Sequence, residues 1–361
     1  MATFKTATID EVLTGEYDDL LDVRTPAEFA DDHLPGAINL PVLSNEERVR
    51  VGTLYTQSPF EAQRLGAALI ARNIAQHLET ALADKPRTWK PLVYCWRGGM
   101  RSGALAHILS EIGWRTTRMH GGYKAYRGYV LQALDTLPPQ FLWCVISGPT
   151  GSGKSRLLQA LAAEGAQVLD LEQLALHRGS LLGNLPDQPQ PAQKLFESRI
   201  WEALRRFDPQ RPVFVEAESR RIGLLRVPGL LLDQMRAAPC IAIEAPLSAR
   251  VAFLLEDYEH FLGDPASLAE QLAKLTELQG RQTITEWNTL AANGEWPALV
   301  EQLLVRHYDP AYKRSSDGNF SGLQKAQRLS LAGLDNTNIR QAAQQCLALV
   351  QDSMKETQTH D

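Results

Sequence analysis

Along the chain, short apolar runs alternate with segments whose apolar residues return every three or four positions. Turns rich in glycine, proline or charge mark each exchange. In the first part this pattern predicts a brief opening strand, a helix over 9–13, and a strand-to-helix passage at Leu20-Leu21-Asp22-Val23-Arg24-Thr25-Pro26. There Thr25 or its neighbour caps the helix, and Pro26 takes a first-turn position that needs no N–H. A turn and short strand follow over 33–41, then a helical insertion over 46–82, a buried strand over 91–94, a helix beginning near 102, and a strand around 116–119. Strand and helix in alternation predict a parallel sheet wrapped by helices, with its site at the carboxyl ends of the strands.

The run Asp135-Thr136-Leu137-Pro138-Pro139-Gln140 interrupts the pattern, because two prolines stop a helix, and it reads as a linker over 135–140. A second alternating unit begins at the apolar strand 141–147, with further strands at 167–171, 213–216 and 241–244. Helical spacing then dominates, over 250–261, 268–279, 296–306 and finally 338–354. The predicted organisation is a first domain over 1–134, a second over 141–315, and a helical C-terminal tail over 316–361.

Composition leaves this picture in place and narrows the setting. The 361 residues suffice for two cores, and a hydrophobic content of 44% with 22% charged residues is that of a globular chain. A net charge of −5 argues against a uniformly basic surface that coats nucleic acid, while leaving room for a local basic groove. Cys95, Cys144, Cys240 and Cys346 lie far apart, with neither the spacing of a zinc site nor that of a disulfide framework. No metal site is expected from them. The start of the chain has no apolar signal core, and no run is long enough to cross a membrane, so the expected location is cytoplasmic.

Two stretches carry chemistry. Val93-Tyr94-Cys95-Trp96-Arg97-Gly98-Gly99-Met100-Arg101-Ser102 delivers one cysteine from a buried strand into a loop of glycine and arginine that opens a helix. Loop N–H groups, the positive end of the helix, and Arg97 and Arg101 all favour a thiolate, so Cys95 is the candidate nucleophile and Trp96, Arg97, Gly98, Gly99, Met100 and Arg101 its cradle. Asp22 and Arg24 read as a buried pair tying a strand end to its loops.

The second stretch, Gly148-Pro149-Thr150-Gly151-Ser152-Gly153-Lys154-Ser155, follows an apolar strand and precedes a helix, the context that a phosphate-binding loop requires. Gly148, Gly151, Ser152 and Gly153 let the backbone wrap a phosphate, Lys154 brings a point charge, and Ser155 is placed to hold Mg²⁺. Glu216, ending a strand, is the candidate carboxylate beside such an ion, with Glu218 and Asp170 as rivals. Two polar clusters, one with His177, Arg178, Gln188 and Lys194 and one with Glu218, Arg220 and Arg221, are expected to face this loop and suit an anionic substrate or an RNA backbone. Arg250 is a candidate lid arginine. Lys313 and Arg314, beside Tyr308 and Tyr312, are candidates for stacking and phosphate contacts with RNA.

Asp22-Val23-Arg24, Glu28-Phe29, His33-Leu34-Pro35-Gly36-Ala37-Ile38-Asn39, the cysteine loop and Gly121-Gly122-Tyr123 fall in an order that resembles the rhodanese family over about residues 4–130. With the phosphate loop, His177-Arg178-Gly179-Ser180, Glu218-Ser219-Arg220-Arg221-Ile222-Gly223 and His307-Tyr308-Asp309-Pro310-Ala311-Tyr312 added, the chain is similar over nearly its whole length to the bacterial tRNA 2-selenouridine synthases. The resemblance implies an α/β architecture, a rhodanese-like domain followed by a P-loop NTPase-like domain with a helical C-terminal part. It further implies a transferase that exchanges sulfur for selenium at C2 of a wobble 2-thiouridine in tRNA. Its co-substrates would be selenophosphate and geranyl diphosphate, passing through an S-geranyl intermediate, with Mg²⁺ as a candidate ion and no tightly bound cofactor. A selenophosphate-supplying enzyme is a candidate partner, and no membrane is expected to be one. The residues alone also fit an ATP-dependent tRNA sulfurtransferase or kinase-like enzyme, or a regulatory protein with a nucleotide switch.

Overall fold

Two all-parallel sheets organise the chain in this computed structural model, which describes residues 4–180, 183, 188–259, 265–316 and 319–358. The chain divides into one unit of residues up to Ala133 together with Pro191–Glu202, and a second of Leu134–Gln190 with Ala203 onward.

The first unit holds β1 (Lys5–Ala7), β2 (Asp19–Asp22), β3 (Ala37–Asn39), β4 (Pro91–Tyr94) and β5 (Thr117–Met119) in the order β1-β5-β4-β2-β3. The central strand β4 is apolar and buried at every position because helices cover both faces of the sheet. Val93, Leu105, Leu109, Ile70 and Ile74 share one apolar core, which joins β4 to the helices Met100–Ile112 and Pro59–Glu79. Thr25 and Glu28 form a reciprocal capping box on the helix Pro26–Asp31, with Pro26 in its first turn. The predicted helical insertion is two helices, Asn45–Gln57 and Pro59–Glu79.

The Asp22–Arg24 pair is buried. The guanidinium makes three contacts of 2.5–3.0 Å to the carboxylate, donates at 2.6 Å to the carbonyl of Asp32, and lies 3.9 Å from the centre of the Tyr123 ring. It fixes the end of β2 to the loop after the next helix.

Residues 191–202 contribute to this first unit although they lie far along the sequence. The helix Gln193–Leu204 buries Phe196, Ile200 and Trp201, with the Trp201 ring edge-on to Tyr126 and Tyr129. Glu197 pairs with Arg127, and Lys194 with Asp31 at 2.5 Å. Buried Asp32 accepts from Tyr123 at 2.9 Å.

The second unit contains β6 (Leu142–Ser147), β7 (Gln167–Leu169), β8 (Pro212–Glu216), the two-stranded hairpin β9 (Arg221–Ile222) and β10 (Leu225–Arg226), β11 (Pro239–Glu244) and β12 (Gly322–Ser330). Its sheet runs β12-β11-β6-β8-β7, which puts β6 and the loop after it in the middle. Ile146, Leu157, Phe214, Ile243 and Ala343 pack one core between sheet and helices. The predicted strand over 167–171 ends at Leu169, because Asp170 caps the helix Leu171–Ala175.

β12 lies inside the stretch expected to be a helical tail. It is an edge strand, Gly322-Leu323-Gln324-Lys325-Ala326-Gln327-Arg328-Leu329-Ser330, whose largely exposed polar residues give no apolar alternation to read. The rest of the C-terminal part is helical, Pro265–Ala273, Arg281–Ala292, Trp296–Leu303 and Asn336–Gln358 included. The end of the predicted helix over 250–261 lies outside the described residues; the described helix is Leu247–Asp257. In the presumed linker, Pro138–Gln140 forms a 3₁₀ turn held by Trp143, whose indole N–H donates to the Pro138 carbonyl at 2.8 Å.

Replacing Arg24 by methionine leaves the Asp22 carboxylate buried without its cation. The first unit is expected to lose about 3–5 kcal/mol of stability, read as an earlier urea transition of the full chain.

Candidate active sites: a cysteine loop and a phosphate loop

Cys95 follows β4 directly and is buried, with its Sγ 3.1 Å from Ser102 Oγ in the first turn of the helix Met100–Ile112. The carbonyls of Cys95 and Trp96 accept from the N–H groups of Tyr123 and Lys124 at 2.8 and 2.9 Å. The second loop thereby backs the first, and only glycine fits the junction. Gly122 has φ +57°, and a Cβ there would stand 2.2 Å from the Cys95 carbonyl oxygen. Trp96, Arg97, Gly99 and Met100 are exposed around the thiol, and Gly98 is half-buried.

Arg101 does not point a free charge at the sulfur. Its guanidinium forms a two-pronged pair with Glu28, at 2.6 and 3.2 Å, which locks the cysteine loop to the capping box of another helix. Arg97 is the exposed cation of the loop. The contact of Ser102 with the thiol, which the sequence reading did not single out, adds a hydroxyl that is able to donate to a sulfur anion.

In the second unit the phosphate loop leaves β6 and enters the helix Lys154–Ala163, whose first-turn N–H groups supply an anion site. Lys154 Nζ donates to the Gly148 carbonyl at 2.9 Å, so the ammonium is folded over the loop it serves. Ser155 Oγ donates to Glu172 at 3.1 Å. Glu172 belongs to a set of carboxyls that also contains buried Glu216 and Glu218 and half-buried Asp170, and is itself half-buried.

Burial raises the affinity of all four for protons. Glu218 is pushed well above the usual carboxyl range by burial and by the neighbouring Glu172, with which it shares a hydrogen bond. Glu216 is raised likewise by burial and then by Asp170, Glu172 and Glu218. Its Oε1 accepts the Glu172 N–H at 2.9 Å while its Oε2 has no partner. Glu172 is raised by burial, opposed by the Lys154 ammonium, and Asp170 is raised by burial alone. The positive end of the helix and the Lys154 ammonium stand against these carboxyls at the loop. Among the described residues no three His, Cys, Asp or Glu side chains converge to hold a metal ion.

Of the two polar clusters, the structure brings only part to the phosphate loop. His177, Arg178 and Glu218 line its cleft together with Gly151 to Ser155. His177 is buried and accepts the Gly179 N–H at 3.1 Å. Arg178 pairs with Asp257 at 2.9 Å and lies 4.7 Å from the centre of the Tyr258 ring. Arg220 and Arg221 are exposed on the chain leading into the β9–β10 hairpin, and Gln188 is exposed. Lys194 belongs to the first unit, where Asp31 holds it, so the expectation that it faces the phosphate loop is corrected. Apolar Phe196, Ile200 and Trp201 on the same helix carried it there.

Arg250 acts behind the loop. It is buried, donates twice to the Thr150 carbonyl, at 2.7 and 2.9 Å, and pairs with Asp309 at 2.6 and 3.0 Å. Tyr308 and Tyr312 line the cleft, while Lys313 and Arg314 are exposed beside it.

Next to the cleft lies a small, almost wholly apolar pocket of about 60 Å³. Thr150, Ser180, Leu254, Tyr258 and Tyr308 border both spaces. Leu268, Trp296, Leu299 and Leu303, from the C-terminal helices, wall the pocket away from the phosphate loop. Sequence periodicity marks these residues as helix-packing positions and gives no sign that they enclose a space.

Sheet order, cysteine loop and phosphate loop together define a two-part enzyme of the class that joins a rhodanese-like domain to a P-loop domain. Residues 9–129 match the rhodanese-like domain family, and residues 141–280 match the tRNA 2-selenouridine synthase AAA domain. Curated relatives named tRNA 2-selenouridine synthase include one from Aeromonas salmonicida, 34% identical over 81% of this chain and 86% of that one. Another, from Shewanella halifaxensis, is 31% identical over 87% and 91%. A third, from Nitrosomonas europaea, is 37% identical over 70% of this chain, but the match spans only 66% of that protein. The chain belongs to the tRNA 2-selenouridine synthase family.

Because folded Glu218 keeps its proton to a higher pH than an unfolded carboxyl would, the folded state holds more protons and loses stability as pH rises past the ordinary carboxyl range. Glu218→Gln removes that loss. Its stability relative to the parent is expected to grow between about pH 5 and pH 8 and the difference to close toward about pH 4, as measured by urea unfolding at each pH.

Proposed function

We propose that this protein replaces the sulfur of a wobble 2-thiouridine in tRNA by selenium in two steps, with geranyl diphosphate and selenophosphate as co-substrates. In the first step the thiouridine sulfur attacks C1 of geranyl diphosphate. An S–C bond forms, the C–O bond breaks, N3 gives up its proton, and diphosphate leaves. In the second, the selenium of selenophosphate adds at C2, the geranyl thiolate departs and takes up a proton, water cleaves the Se–P bond to release phosphate, and N3 regains its proton.

The observation that carries this reading is the apolar pocket opening beside the phosphate loop. A diphosphate held by Gly151 to Ser155 would place a ten-carbon tail against Leu254, Tyr258 and Tyr308, with Trp296 and Leu299 beyond. Burial of such a tail is favourable at about 25 cal/mol per Å². The loop N–H groups, Lys154 and the helix end stabilise the charge that gathers on the leaving diphosphate. A Mg²⁺ ion arriving with the diphosphate would meet Ser155 Oγ, with Glu172 behind it, and would add charge neutralisation there. The Cys95 loop is assigned the binding of selenophosphate, whose selenium is already at the selenide level, so that its transfer needs no oxidant. The loop N–H groups from Trp96 to Arg101, with the Ser102 hydroxyl, suit a terminal chalcogen anion. tRNA is the partner, a selenophosphate-supplying enzyme delivers the donor, and the reaction belongs in the cytoplasm.

The test is mass spectrometry of nucleosides from 2-thiouridine-bearing tRNA incubated with the full chain, geranyl diphosphate and selenophosphate. Selenouridine is expected in the full mixture, and S-geranyl-2-thiouridine when selenophosphate is withheld. Cys95→Ala is expected to abolish selenium incorporation and leave geranyl transfer. Lys154→Ala is expected to slow geranyl transfer by about 10²–10³-fold. Equal loss of both steps in Cys95→Ala would overturn the division of labour. Unchanged thiouridine with brisk ATP hydrolysis would return the phosphate loop to nucleotide activation.

A further inference from the structure

The β9–β10 hairpin has no part in the chemistry above, yet it rises directly from the cleft. Glu218 and Ser219 line the phosphate-loop cleft, and the chain then runs through exposed Arg220 and Arg221 to a tip at Gly223-Leu224. Five residues from Ser219 to Leu224 reach at most about 18 Å. The tip therefore stays within a few nucleotides' length of the cleft.

Leu224 is 89% exposed, the highest value among the exposed large apolar side chains of the described residues. Its backbone, by contrast, is fastened. Gln190 Oε1 accepts the Leu224 N–H at 2.8 Å, and the Gln190 amide donates at 3.0 Å to Ile222 and at 3.3 Å to Ala175. Gly223, at φ +57°, presses on Gln190 and on buried His177, leaving no room for a side chain. A mobile tip would leave a leucine exposed by default. Here two hydrogen bonds to a single glutamine, itself tied to Ala175, hold the tip's backbone while the apolar side chain projects outward, flanked by arginines.

Chemistry at C2 of a base in a folded RNA requires that base to leave its stack, and the gap it leaves is costly until something apolar fills it. We propose that the hairpin is the element that opens the RNA: Leu224 fills the place of the extruded base, and Arg220 and Arg221 hold the flanking phosphates. This rests on the tRNA reading above. Phosphate contacts position the strand without reading sequence, and the wedge supplies the unstacking.

The experiment uses the full chain and an anticodon stem-loop RNA with 2-aminopurine next to the target uridine, whose fluorescence rises when its neighbour unstacks. Binding of the parent protein is expected to raise the signal. Leu224→Ser is expected to keep RNA affinity within about twofold, to lose the fluorescence rise, and to slow base modification about tenfold or more, with Leu224→Met restoring both. Arg220→Ala with Arg221→Ala is expected to weaken binding about uniformly across sequences and to reduce the salt slope by about 1.4. A Leu224→Ser protein with full signal and full rate would overturn the wedge. So would one whose rate falls only in step with its affinity. If the parent protein binds the stem-loop without a signal, the hairpin proposal fails alone; if it binds no RNA at all, the tRNA reading fails with it.

Discussion

Arg250 holds the second unit's working parts in one frame. Its guanidinium joins the Thr150 carbonyl of the phosphate loop to Asp309 at the start of the helix Asp309–Ser316, while its own helix, Leu247–Asp257, supplies Leu254 and Leu255 to the apolar pocket. A backbone carbonyl buried without a partner is costly, and a guanidinium buried without a carboxylate more so. Each group satisfies the other only while the loop, the pocket wall and the C-terminal helix keep these positions. The phosphate loop and the pocket consequently share one support, and they share Thr150 itself as a border.

The carboxyls beneath the loop follow from the same economy of space. Four acidic side chains around Lys154 and Ser155 would oppose an anion if all were charged. Burial works against that charging, and the closeness of Glu172 and Glu218 raises the proton affinity of Glu218 further. Glu216, with one oxygen on the Glu172 N–H and the other unpartnered, keeps the start of the helix Leu171–Ala175 in place. Glu172 in turn meets Ser155. The acidic set thus shapes the loop from below.

Much of this was legible in the sequence, for identifiable reasons. Strand β4 is apolar throughout, the cysteine loop combines glycines and arginines that packing does not need, and the phosphate loop has its strand and helix on either side. Such features are local, and local pattern finds them. β12 was missed because an edge strand exposes polar residues, with Lys325 and Arg328 among them, so that no alternation survives. Lys194 was misplaced because its setting is decided by Trp201 packing against Tyr126 and Tyr129, contacts across more than seventy positions. The apolar pocket was invisible for a third reason. Residues around a space and residues filling a core have the same composition, and Trp296 or Leu299 on a helix reads identically in either role.

The two loops ask different things of similar backbone. Around Cys95, the neighbouring turn presses in so closely that Gly122 admits no Cβ, and Arg101 is spent on Glu28. The cysteine loop is thereby braced on two sides and its sulfur kept buried. Around Gly148 to Ser155 the cleft is open and continues into apolar walls. A loop that hydrolyses a nucleotide must place a water in line with the phosphate. A loop that holds a departing diphosphate has instead to bind charge and leave the carbon end of its substrate to something else. Leucine, tyrosine and tryptophan side chains beside Thr150 would suit the second task in the proposed reaction, because they would exclude water, the competing nucleophile, from the carbon at which the bond to oxygen breaks.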